Sequence, residues 1–97
     1  MTQHEKVLAI MLKDHTRWWH AEDLMESEGI FVGYKAQARI SELALKYPEL
    51  IERDMSYKNN RQHMYKLRLS NYKEFLPKLP QDLRDFVVLN KPWDIHW

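Results

Sequence analysis

Apolar positions change period along this chain, and each change marks an element. Over residues 3–14, Val7, Ile10, Met11 and Asp14 fall at helical spacing, and Leu8 and Leu12 widen the apolar stripe. That predicts a first helix, capped by Thr2 or the polar residues after it. "TRWW" at 16–19 is too short and bulky to start a helix and reads as an extended segment. Successive side chains of such a segment alternate, so one of Trp18 and Trp19 faces the core and the other solvent.

"HAEDLMES" at 20–27 predicts a short second helix. Ala21, Leu24 and Met25 form its apolar side, and Glu22 and Asp23 sit where the helix dipole favours anions. Gly29 is a natural stop. Ile30, Phe31 and Val32 are expected to plug the core. "GYKAQARISELALKYP" at 33–48 predicts a third helix over about 33–47, with Ala36, Ile40, Leu43 and Tyr47 as its stripe. Pro48 ends it.

The period then drops to two. Tyr65, Leu67 and Leu69 alternate with Lys66 and Arg68, and upstream Ile51, Arg53 and Met55 alternate with Glu52 and Asp54. These two runs predict a hairpin whose tip, "YKNNRQ", is polar and basic. Beyond residue 70 the pattern is interrupted by Pro77 and Pro80; "QDLRDFVVL" at 81–89 predicts one short helix, and "NKPWDIHW" has no regular pattern.

Composition narrows the function. The 97 residues suit one domain with a modest core. The chain has no cysteine, which removes disulfides, a thiol nucleophile and thiolate metal sites. The apolar run near the start spans only Val7 to Leu12, so no signal peptide or membrane span is expected, and the reading is cytoplasmic. Net charge is only +1, but it is unevenly spread. Residues 1–32 sum to −3, residues 33–73 hold nine cations against four anions, and residues 74–97 sum to −1. A basic middle of this kind suits an anionic partner; chance clustering in a short chain is the plain alternative.

Helix, short strand, helix, turn, helix and hairpin is an order that resembles a winged helix-turn-helix domain of the type found in bacterial and phage regulators. Residues 4–69 carry the resemblance, through "AEDLM" in the second helix, "AQARISEL" in the third and "YKLRL" closing the wing. Bulky Trp18 and Trp19, and His20 in place of a Ser or Thr cap, depart from that pattern. The fold expected is α+β: a winged helix-turn-helix of three helices and a β-hairpin wing at 1–69, with a short helical and irregular C-terminal extension at 70–97. The resemblance implies binding of double-stranded DNA, with the third helix in the major groove and the wing on the backbone.

A helical wheel places Tyr34, Ala38, Ser41 and Leu45 outermost on the third helix, flanked by Lys35 and Glu42. Tyr34, Ala38 and Ser41 suit a groove-facing surface, and Lys35 and Gln37 reach phosphate or a base edge. Arg39 lies near the buried boundary, where a structural ion pair and a DNA contact are equally open. At the wing tip, Lys58, Asn59, Asn60 and Arg61 are candidates for backbone contacts, although any exposed hairpin tip carries such residues. Glu42 opposes phosphate, and apolar Leu45 on the outer side implies a covering element or chain.

Other chemistry finds little footing. His15 and His20 flank the tryptophans near Glu22 and Asp23, but no zinc-binding motif is present, and no metal or cofactor is expected. No nucleophile sits in a recognisable context, so no catalytic residue is assigned and an enzyme is not expected. Trp18, Leu45, Trp93 and Trp97 are candidates for a protein interface. The extension either packs on its own domain or joins a second chain as a homodimer; in the second case, truncation after Ser70 leaves a folded domain. The competing reading of the whole chain is a winged-helix protein–protein interaction module without DNA binding.

Overall fold

The structure, a computed structural model, describes residues 1–27, 29–54 and 64–92. The described residues form an α+β fold of four α-helices, a small three-stranded antiparallel sheet and a separate two-stranded hairpin. The first helix, α1, runs Gln3–Lys13. Thr2 caps it reciprocally: the Glu5 backbone N–H donates to Thr2 Oγ1 at 3.1 Å, and the Thr2 N–H donates to Glu5 Oε1 at 2.8 Å. Val7, Leu8, Ile10 and Met11 are completely buried and Leu12 nearly so, which makes α1 the centre of the core.

Strand β1 is Trp19–His20. Trp19 is the inward tryptophan; Trp18 is half-buried, with the Lys66 ammonium 5.6 Å from its ring centroid. The expected second helix is shorter than its sequence suggests, a single 3-10 turn at Ala21–Leu24. Asp23 closes its start by accepting from the His20 backbone N–H at 3.1 Å. Met25 is exposed rather than apolar lining, because the chain leaves the turn there and enters a small hairpin, β2 (Glu26–Ser27) and β3 (Ile30–Phe31).

This hairpin corrects two further expectations. Gly29 does not stop a helix; it turns β2 into β3 with a positive φ of 84°. Of the three residues expected to plug the core, Val32 is buried and Ile30 packs against the core, but Phe31 is 63% exposed. Alternation along a strand forces that outcome, since Ile30 and Val32 face in and Phe31 must face out.

Helix α2, Ala36–Lys46, is the third helix expected from the sequence. It begins three residues later than the apolar spacing suggested. Gly33 takes a φ of 93°, outside the helical region, and the Val32 and Gly33 N–H groups both donate to the Met25 carbonyl, at 2.8 and 3.0 Å. Ala36, Ile40, Leu43 and Ala44 are buried, and Tyr47 packs at the edge of the core.

Strands β4 (Ile51–Asp54) and β5 (Met64–Leu67) pair antiparallel, Ile51 opposite Leu67 and Glu52 opposite Lys66. β1 adds to the other edge of β5, giving the order β1-β5-β4. On β5 and the residues after it the expected alternation holds, with Tyr65, Leu67 and Leu69 buried. On β4 Ile51 is buried, Arg53 is half-buried as Glu52 and Asp54 are, and Met55 lies outside the described residues. The wing-tip candidates Lys58, Asn59, Asn60 and Arg61 lie outside the described residues, as do Trp93 and Trp97.

The extension joins the same core. A 3-10 turn at Leu69–Asn71, helix α3 (Tyr72–Phe75), a second 3-10 turn at Leu76–Lys78 and helix α4 (Gln81–Leu89) follow one another. Pro77 falls at the start of the second 3-10 turn, and Pro80 at the N-cap of α4, positions that need no donated N–H. Phe75, Leu79, Leu83 and Val87 are buried in the cluster around α1. The Arg84 guanidinium donates to the carbonyls of Leu76 and Leu79, both at 3.0 Å, so α4 ties down the turn before it. Lys78 Nζ reaches Glu49 Oε1 at 2.6 Å and fastens the extension to the turn after α2. Among the described residues no helix is long and apolar enough to cross a membrane.

Candidate nucleic-acid interface

The start of α2 is open. Its N-cap is Lys35, which makes no capping side-chain bond, and its first turn holds no acid. The positive end of the helix dipole is therefore uncompensated by carboxylates. Around it stand Tyr34, 82% exposed, with Lys35, Gln37 and Ala38, all exposed. Tyr34 is not on the helix as the wheel supposed but in the turn before it.

The other half of the predicted surface serves the fold. Ser41 is half-buried, and its hydroxyl hydrogen-bonds the Tyr65 phenol on β5. Arg39 resolves its alternatives toward structure: its NH1 donates to Glu42 Oε1 at 2.6 Å and its Nε to Gln3 Oε1 at 2.9 Å. Glu42 in turn lies 2.8 Å from His4 Nε2 through its second oxygen. This network binds α2 to the first turn of α1 and sets the Arg39 and Glu42 charges against each other. The cations left for an anionic partner on this helix are Lys35 and Lys46, both exposed and, among the described residues, without an ion pair.

Sequence reasoning missed Gln3 and His4, since nothing in the chain indicates which residues of α1 cross α2. Leu45 is 67% exposed, and no described element covers it. Trp18 is partly screened by Lys66, which leaves less of it for a partner than the extended segment implied. His15 and His20 do not form a metal cluster: among the described residues, no three His, Asp or Glu side chains are grouped to hold an ion.

Hydrogen bonds hold three carboxyls below their ordinary value of 4.5. The bond from His4, assisted by Arg39, lowers Glu42; the Thr2 backbone N–H lowers Glu5; Lys78 lowers Glu49. A group depressed in the folded state contributes stability above its unfolded pKa and loses it as pH falls through the folded one. Thermal stability is therefore expected to decline as pH drops below about 4.5. Circular dichroism melts across that range check it: Glu42→Gln should flatten the decline. Parallel curves for variant and parent would assign the loss elsewhere.

Compared with protein-family models, curated proteins and solved structures, the chain matches none.

Proposed function

We propose that residues 1–69 carry a winged helix-turn-helix, its core completed by the C-terminal extension, that binds double-stranded DNA, acting as a small transcriptional regulator of bacterial or phage type. The observation that carries this reading is the exposed group Tyr34, Lys35, Gln37 and Ala38 around the uncapped, acid-free start of α2. Three features support it. The elements run α1, β1, 3-10 turn, the small β2–β3 hairpin, α2, β4, β5, and β1 pairs with β5, the second strand of the β4–β5 hairpin. The buried face of α2 locks it to α1 and the sheet, so the opposite face is presented rigidly. The sequence between β4 and β5 carries Lys58 and Arg61 within the basic middle of the chain.

On this reading α2 enters the major groove. Lys35 and the helix start take phosphate oxygens, Gln37 and Tyr34 reach base edges, and Ala38 permits close approach. Titration of labelled duplexes by fluorescence anisotropy tests it. Affinity should fall with salt along a log–log line of about −0.9 per phosphate neutralised. Absence of binding at low salt to duplexes drawn from a random pool overturns it.

The exposed Phe31 and Leu45 favour a second reading, a winged-helix module that binds a protein or a second copy of itself. A stoichiometric complex without duplex binding would select it.

A further inference from the structure

The outer face of the sheet carries a concavity. β5 turns Tyr65 and Leu67 toward α2 and the core, so Lys66 and Arg68 face the other way. There they meet the turn after α1 and the first turn of the extension. The result is a cleft of about 370 Å³ whose polar lining includes Thr16, Glu52, Lys66, Arg68, Ser70 and Asn71. Arg68 joins no ion pair among the described residues. Arg68 Nε is shielded from solvent and has no hydrogen-bond acceptor among the described residues. That N–H lies beneath the cleft surface; the terminal guanidinium nitrogens are not shielded in this way and have no acceptor among the described residues, so they are left for an anion in the cleft. Trp19 Nε1 is also without an acceptor but does not line the cleft.

The geometry points to a binding site for a small phosphate monoester in this cleft. Arg68 supplies a planar donor pair and Lys66 a point charge. The Thr16 and Ser70 hydroxyls and the Asn71 amide add neutral donors suited to a tetrahedral oxyanion. The volume exceeds that of phosphate alone, which leaves room for the organic part of an ester. Glu52, opposite Lys66 on β4, is the one carboxylate in the lining and opposes the anion. The site is independent of the duplex-binding reading, because it lies across the sheet from α2.

Nitrogen-15 NMR of the full chain, titrated with inorganic phosphate and then glycerol 3-phosphate, tests this. Saturable shifts are expected at Thr16, Lys66, Ser70, Asn71 and the Arg68 side-chain Nε–H. Lys66→Gln and Arg68→Gln should each weaken phosphate about tenfold or more. Glu52→Gln should tighten it. Lys66→Gln carries the test should the Arg68 variant fail to fold. Linear, unsaturated shifts, or variants that bind like the parent, overturn the site. Displacement of phosphate by duplex DNA would make the cleft a backbone contact and overturn the monoester assignment. Lys35→Ala should lose duplex and keep phosphate, so the two readings fail separately.

Discussion

Phe75→Ala should remove about 3–5 kcal/mol of folding stability, the usual loss when a buried phenyl ring becomes a cavity. Phe75 is completely buried although it belongs to the C-terminal extension. A small domain holds only about 5–15 kcal/mol in total, so this one change consumes a large part of it. The melting temperature should fall by roughly 20 °C. Leu89→Ala is the control: that side chain is 85% exposed, and its loss should shift stability by no more than about 0.5 kcal/mol. Equal melts for the two variants would mean that the extension does not pack on the core.

The same packing reverses an expectation drawn from the sequence. Truncation after Ser70 should not leave a folded domain. It deletes Phe75, Leu79, Leu83 and Val87 from the core cluster, each worth about 1.5–3 kcal/mol when buried, and it removes the Lys78 and Arg84 ties. Loss of a cooperative transition in urea is the expected result; a sharp transition in the truncated chain would restore the two-part view.

Replacing Lys35, Lys58 and Arg61 together by alanine should nearly abolish duplex binding. With about 1.5 kcal/mol or more per charge-assisted phosphate contact, the loss is on the order of a thousandfold. The log–log salt slope should also become shallower by about 2.7, three contacts at 0.9 each. Lys35 is exposed at the open end of α2 and joins none of the described ion pairs, so its replacement acts on binding rather than on the fold. Arg39 is the instructive contrast. Its removal breaks the ties to Gln3 and Glu42 and acts first on the docking of α2 against α1. A triple variant that stays folded and binds duplex like its parent would refute the surface assignment.

How much of this was legible in the chain follows from how local each signal is. The helix over 81–89 appears as α4 with the same bounds, and Thr2 caps α1 as its position suggested. Both depend on neighbours within one turn. The alternation of Tyr65, Leu67 and Leu69 against Lys66 and Arg68 survives because the period of a strand admits only two faces. The second helix shrank to a 3-10 turn because the backbone at Met25 is recruited by Val32 and Gly33, a partnership that sequence spacing does not announce. On the candidate interface, Ala38 and Leu45 are exposed as the wheel placed them, with Lys35 and Gln37 exposed beside Ala38, whereas Ser41 is half-buried, because Tyr65 claims its hydroxyl.

The sequence by itself determined the buried stripes of α1 and α2, the pairing face of the hairpin and the basic middle of the chain, since periodicity and charge are properties of neighbouring residues. Only the tertiary structure decided which cations are committed and which remain available. Arg39 and Lys35 are four positions apart and chemically similar; one is held by α1 and the other stands at an open helix end. Only the tertiary structure, too, made the extension part of the core and placed Thr16, Lys66, Arg68 and Ser70 around one cleft. Those outcomes depend on contacts between segments far apart in the chain, and such contacts are set by the packing of whole elements rather than by any local pattern.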